Sequence, residues 1–198
     1  LVPPERVYVI TNTAQRDAVL QSCPGLLPEK VIGEPEGRDT AAAVGLAALL
    51  VEAEGDDAAF ALLPADHVIE DHEGFRSVLG SAFDAAEGND CLVTIGIKPT
   101  FPSTGYGYLC RGDELNAENE RVLSRVDRFV EKPDLRKAEE YLKEGTYFWN
   151  AGMFVWRPSV ILSALGKYAP ALASGLNDLK KEWNASGRLT ESMAKIYP

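Results

Sequence analysis

Short apolar runs punctuated by glycine, proline and polar residues alternate along this chain with longer stretches of helical periodicity. Val7-Tyr8-Val9-Ile10 is β-branched and compact, which predicts a strand. Thr11-Asn12-Thr13 follows and can cap a helix through Leu20 that Pro24-Gly25 ends. Val31-Ile32 predicts a second short strand. After the turn from Gly33 to Arg38, an alanine- and leucine-rich helix is expected from about Asp39 to Glu54, closed by Gly55.

Phe60-Ala61-Leu62-Leu63 is continuously apolar rather than alternating, as in a buried strand, and Pro64-Ala65-Asp66-His67 ends it. A helix from about Glu73 to Ala86 is followed by a buried strand at Cys91 to Ile97 and a loop carrying Pro99, Pro102 and Gly105 into Tyr108-Leu109. Val122 to Val130 alternates roughly, as a half-exposed strand would. Asp134-Leu135 opens a helix with Tyr141 and Leu142 on its apolar face. Met153 to Trp156 predicts a last strand, Pro158 starts a helix through Leu165, and another spans Ala171 to Trp183. Strands alternating with helices predict an α/β fold: an open mixed, mainly parallel sheet flanked by helices. No internal repeat, low-complexity tract or linker interrupts it, so a single domain over residues 1–198 is expected.

Composition narrows the class. The 198 residues are 45% hydrophobic and 25% charged, which suits a globular domain with a substantial core. A net charge of −10 without a basic patch argues against nucleic acid as a partner. Cys23, Cys91 and Cys110 match no zinc spacing and read as buried, reduced thiols. No apolar stretch approaches the roughly 18 residues of a membrane span, and no charged-then-apolar leader opens the chain, so no membrane partner and a cytoplasmic location are expected. Because the first residue is Leu1, the natural polypeptide is expected to extend upstream.

Candidate chemistry gathers at predicted strand ends. Asp66 should project from the carboxyl edge of its strand, where open α/β sheets bind ligands, and a lone carboxylate there suits a hard cation such as Mg²⁺; a turn-capping role is the alternative. His67 and His72 have no cysteine or serine partner at a recognisable spacing and read as structural, with Asp71 capping the next helix. Glu34-Pro35-Glu36-Gly37-Arg38-Asp39-Thr40 supplies a carboxylate, an arginine and the free amides of a helix start. Those amides attract anions, and Glu34 can accept from the paired donors of guanine; alone, the segment is equally a capped turn.

Gly105-Tyr106-Gly107 lets the backbone approach a ligand, although a turn uses glycine for its conformation too. Glu131 and Lys132, stopped by Pro133, are strand neighbours that would face opposite ways, and only a distortion at Pro133 would bring both to one ligand. Lysine offers a point charge for a phosphate and glutamate accepts from vicinal hydroxyls, a pairing suited to a sugar phosphate. Asn150 beside Gly152 could read a further hydroxyl.

Taken in this order, EPEGRDTA, LLPADH, TGYGYL, FVEKP and FWNAGMF resemble the mannose-1-phosphate guanylyltransferase family of the sugar nucleotidyltransferases, over nearly the whole chain. The resemblance implies a Rossmann-like nucleotide-diphospho-sugar transferase fold and Mg²⁺-assisted transfer of a guanylyl group from GTP to mannose 1-phosphate. It places Glu34, Pro35, Arg38, Asp39 and Thr40 in the nucleotide site and Asp66 on the metal. Gly105, Tyr106, Gly107, Glu131, Asn150 and Gly152 fall to the sugar phosphate, and Lys132 neutralises its phosphate. Asp39 stands where the family usually has asparagine, and the family's glycine-rich triphosphate loop and a second metal-binding aspartate are expected upstream of Leu1 and beyond Pro198. A homodimer is compatible with this reading. Transfer of a uridylyl or thymidylyl group, or a non-catalytic subunit that binds sugar nucleotides, remains as an alternative.

Overall fold

The computed structural model describes residues 2–38, 40–55, 57–118 and 121–197. Its contacts divide the chain into two compact units, residues 1–60 with 156–198 and residues 61–155. In the first unit, β1 (Val9–Asn12) and β2 (Val31–Glu34) pair in parallel, from Val9 opposite Val31 to Asn12 opposite Glu34. The crossover through α1 (Arg16–Ser22) makes a parallel pairing possible. The helix capping expected of Thr11-Asn12-Thr13 is not made: Thr11 and Asn12 end β1, the N-cap of α1 is Gln15 with no side-chain cap bond, and Asn12 Oδ1 instead accepts from the Gln15 N–H at 2.8 Å and fixes the turn ahead of the helix. Thr13 does something else: its N–H and hydroxyl both donate to the Glu34 carbonyl, at 3.0 and 2.9 Å, and tie the β1 loop to the end of β2.

The alanine- and leucine-rich helix α2 (Thr40–Glu52) buries Ala42, Val44, Leu46, Ala47, Ala48, Leu49 and Leu50. Such an unbroken buried run needs cover on more than one face, which α5 (Pro158–Tyr168) and α6 (Pro170–Ser186) provide. A further helix, α7 (Leu189–Ile196), packs on α6 and β2. Leu46, Leu49, Leu50, Leu176, Leu179 and Met193 form the core, and each buried side chain of this kind contributes about 2 kcal/mol.

The second unit is built on β3 (Phe60–Leu62), α3 (His72–Gly88), β4 (Val93–Ile97), β5 (Tyr108–Glu118), β6 (Arg121–Val130), α4 (Leu135–Glu144) and β7 (Tyr147–Trp156). The sheet runs β3-β7-β5-β6, with β4 also on β7. The α/β class is as expected, and the mixed part of the sheet is larger than expected: β4–β7, β5–β6 and β5–β7 are all antiparallel. With no helix between β5 and β6, they can only return as a hairpin. Asp71 caps α3 as expected, accepting from Gly74 N–H at 2.8 Å, and Asp134 does the same for α4 from Lys137 N–H at 2.9 Å. Tyr108, Ala138, Tyr147 and Trp149 make the core under α4, with Tyr141 stacked on Tyr147 at 3.8 Å.

Two burial expectations need correction. Phe60 to Leu62 is half-buried rather than buried, and β4 keeps only Val93 buried while Ile97 is 42% exposed, because β4 meets only β7 among the described pairings. Cys23 is exposed, since it follows the end of the surface helix α1; Cys91 and Cys110 are half-buried, and none of the three is in a disulfide. Among the described residues, no helix is long and apolar enough to cross a membrane.

Candidate functional site

β6 ends at Val130, and Glu131 and Lys132 leave it in a turn. Among the described residues Lys132 is the one non-glycine with positive φ, at +42°. This rotation breaks strand alternation and brings Lys132 Nζ to 3.6 Å from Glu131 Oε1. The distortion anticipated at Pro133 therefore falls one residue earlier, and the buried Pro133 ring anchors the approach to α4. Both charged side chains are more than half exposed, 63% and 58%. An ion pair so exposed gains at most about 1 kcal/mol, comparable to what left-handed backbone costs a lysine, so the pair alone gives the strain little return. Strain held at exposed, functionally competent groups points to a ligand.

Gly107 lies against this turn. A Cβ on Gly107 would sit 2.8 Å from Glu131 Oε2 and 2.9 Å from the Phe129 ring, so only glycine lets the carboxylate rest there. The Gly107 carbonyl accepts from Asn150 N–H at 2.8 Å and joins the turn to β7. Upstream, Gly105 N–H donates to the hydroxyl of buried Ser103 at 3.2 Å, and the Tyr108 hydroxyl donates to the Ser103 carbonyl at 2.9 Å. Tyr106 is half-exposed, its ring edge-on to Trp149 at 5.2 Å.

β7 carries a bulge where the site needs it. Thr94 faces Phe154 while Gly96 faces Asn150, so two residues of β4 span four of β7. Gly152 absorbs the excess at φ +67°. Asn150 Oδ1 accepts from Gly152 N–H at 3.2 Å and from the Thr94 hydroxyl at 3.0 Å. Pro64 also approaches here, 3.4 Å from where a Cβ on Gly152 would lie, which sets the Pro64-Ala65-Asp66 turn beside the bulge. Asp66 has an 87% exposed side chain whose Oδ1 is 3.9 Å from His67 Nε2. In the second unit the fold thus links Pro64, Gly152, Asn150, Gly107, Glu131 and Lys132 by successive contacts.

Among the described residues no three His, Cys, Asp or Glu side chains cluster to hold a metal. At the turn after β3, Asp66 offers an exposed hard oxygen donor whose ion-pair neighbour is the His67 imidazole, 3.9 Å away, rather than a lysine or arginine. That donor set suits Mg²⁺, which keeps several waters and takes most other ligands from phosphate.

The expected nucleotide residues belong to the first unit. Glu34 ends β2 with only 7% exposure, and its carboxylate accepts from the Tyr197 hydroxyl. Burial first, and then this bond to a carboxylate, holds the Tyr197 phenol far above its ordinary pKa, with the Arg38 charge opposing. Pro35 is exposed, Arg38 sits 3.3 Å from Glu36 Oε2, and Thr40 opens α2 in solvent; Asp39 lies outside the described residues. Thr94 and Tyr197 were not visible as site residues in the sequence. Thr94 left one signal, a hydroxyl at the centre of an apolar strand.

A model for the nucleotidyl transferase family matches residues 4–192. The Escherichia coli K12 protein named mannose-1-phosphate guanylyltransferase is 42% identical over 170 residues, 84% of this chain and 35% of its own length. Xanthan biosynthesis protein XanB of Xanthomonas campestris is 44% identical over 164 residues, 83% of this chain and 33% of the relative. Among solved structures, a Thermus thermophilus protein described as a mannose-1-phosphate geranyltransferase superposes with a TM-score of 0.82 at 33% identity, over 99% of this chain and 54% of that one. The chain spans about a third of the length of the curated relatives it matches.

Proposed function

This chain belongs to the nucleotidyl transferase family, and on that premise we propose that it transfers a guanylyl group from GTP to mannose 1-phosphate, giving GDP-mannose and pyrophosphate. One observation carries the reading: the left-handed turn at Lys132 sets a cation 3.6 Å from a carboxylate that rests against Gly107, whose carbonyl accepts from Asn150 N–H, a set matched to the phosphate and hydroxyls of a sugar phosphate.

In this reading Lys132 neutralises the sugar phosphate as a point charge, and Glu131 accepts from hydroxyls of the hexose. An oxygen of that phosphate attacks the α-phosphorus of GTP; the bond to the α–β bridging oxygen breaks, and pyrophosphate leaves with the electron pair. The nucleophile is already anionic, so no side chain has to remove a proton. Catalysis is then alignment and charge compensation by residues fixed beforehand. Asp66 would hold Mg²⁺, whose charge offsets that of the phosphate oxygens. Arg38, the start of α2 and Glu34 are assigned to the nucleotide.

Incubating the chain with GTP, mannose 1-phosphate and Mg²⁺, and separating the products by ion-exchange chromatography, tests the proposal. GDP-mannose and pyrophosphate in equal amounts are expected, with little product from UTP or dTTP. Equal turnover of UTP would overturn the guanine assignment. Binding of GDP-mannose without product would favour a non-catalytic role.

A further inference from the structure

Asn150 carries one acceptor and one donor group at the end of its side chain, and which of them meets the ligand decides what the site can recognise. The neighbours fix which way the amide points. The Gly152 backbone N–H at 3.2 Å can only donate, so the atom facing it is the carbonyl oxygen, Oδ1. The Thr94 hydroxyl approaches the same oxygen at 3.0 Å and the Met153 carbonyl at 3.2 Å, with one proton to share between them. Thr94 also sits beside the register shift that creates the β7 bulge, so backbone and hydroxyl act on the same amide. With Oδ1 engaged by the Gly152 N–H and by the hydrogen that Thr94 shares with the Met153 carbonyl, the Asn150 amide nitrogen is left as the group to offer.

We propose that Thr94 is a positioning residue for sugar recognition. With Gly152 N–H, its hydroxyl directs Asn150 Oδ1 inward, and Asn150 Nδ2 is thereby presented as a hydrogen-bond donor to a hydroxyl oxygen of a hexose 1-phosphate. This rests on the sugar-phosphate reading of the site. It also makes Asn150 an obligate donor, complementary to the acceptor Glu131, so the two side chains impose opposite polarity on the hydroxyls they meet.

The test uses the full chain and its Thr94→Val, Thr94→Ala and Thr94→Ser variants, with mannose 1-phosphate titrated by calorimetry and the Asn150 side-chain amide followed by NMR. Thr94→Val is expected to weaken mannose 1-phosphate about five- to tenfold, the effect of losing one orienting hydrogen bond. GTP affinity should not change, and Thr94→Ser should restore the wild-type value. Thr94→Ala serves the same purpose if the valine variant does not fold. Unchanged sugar-phosphate affinity in Thr94→Val or Thr94→Ala would overturn the proposal, as would equal weakening of GTP and mannose 1-phosphate with no rescue by serine, the pattern of a purely structural role. If the wild-type chain binds no hexose 1-phosphate, the functional reading fails instead. The NMR arm then decides the positioning on its own: an Asn150 amide signal unmoved by Thr94→Val refutes it.

Discussion

Tyr197 donates its phenolic hydrogen to the Glu34 carboxylate, joining residues 163 positions apart and closing the end of β2 with the end of α7. Glu34 is one of few buried polar side chains in the described chain, and Tyr197 is the donor that satisfies it. Tyr197→Phe should destabilise the protein by about 1–3 kcal/mol, the cost of leaving a buried charged acceptor without its partner. Urea denaturation of the two proteins measures this.

The same bond gives an alkaline signature. The folded-state pKa of Tyr197 is raised, so its contribution to stability is present in full below the ordinary phenol value and is lost as pH rises beyond about 10. Tyr147, whose pKa is pushed up to about 12 chiefly by burial, adds to that loss over the same range. Denaturation midpoints measured from pH 8 to 11 should fall at the top of the range, and less steeply in Tyr197→Phe. A variant with the wild-type slope would show that Tyr197 does not carry the effect.

Lys132→Gly should separate stability from function. Glycine accepts φ +42° without strain, so unfolding free energy should stay within about 1 kcal/mol of wild type or rise slightly. Loss of the cation should cost on the order of 100-fold in kcat/KM for mannose 1-phosphate. A stable protein with full activity would remove Lys132 from the site.

Gly107→Ala crowds Glu131 and the Phe129 ring, both of which are side chains able to move. The fold should therefore lose less than about 1 kcal/mol, while displacement of Glu131 weakens mannose 1-phosphate about tenfold. Gly152→Ala differs, because its backbone lies at φ +67° and cannot relax; about 1–2 kcal/mol of stability should be lost along with sugar-phosphate binding. Calorimetry combined with thermal melting distinguishes the two.

Asp66→Asn should leave the melting temperature unchanged, since the carboxylate is exposed and makes no close ion pair. Activity should fall on the order of 100-fold, and the Mg²⁺ concentration for half-maximal rate should rise. An unaltered Mg²⁺ titration would move the metal to other ligands.

The alternation of strands and helices was legible because apolar periodicity follows from burial on one face, as in α3, while α2, covered on more than one face, showed itself by its continuous run of alanine and leucine. Glu131, Lys132 and Asn150 stood out because polar side chains interrupted strand-like runs. Two things stayed hidden for physical reasons. The outer part of the β5–β6 hairpin is polar and largely exposed on β5, so no strand is predicted over Arg111-Gly112-Asp113-Glu114, although β5 runs through it with register shifts on either side. β7 seemed to begin at Met153 because a bulge lets the strand continue through Asn150-Ala151-Gly152, where regular pleating would stop. Contacts such as Tyr197 with Glu34 join distant segments, and no local pattern announces them.

β7 has a kinetic consequence. Asn150 meets its positioning residue across 56 positions of sequence, and its strand pairs with β4 and β5, both made earlier in the chain. Closing so long a loop is slow compared with forming a helix or hairpin, so this strand is expected to lock in late. Ligand capture would then report on completed folding: an intermediate holding its helices and the β5–β6 hairpin would still have no place for the sugar.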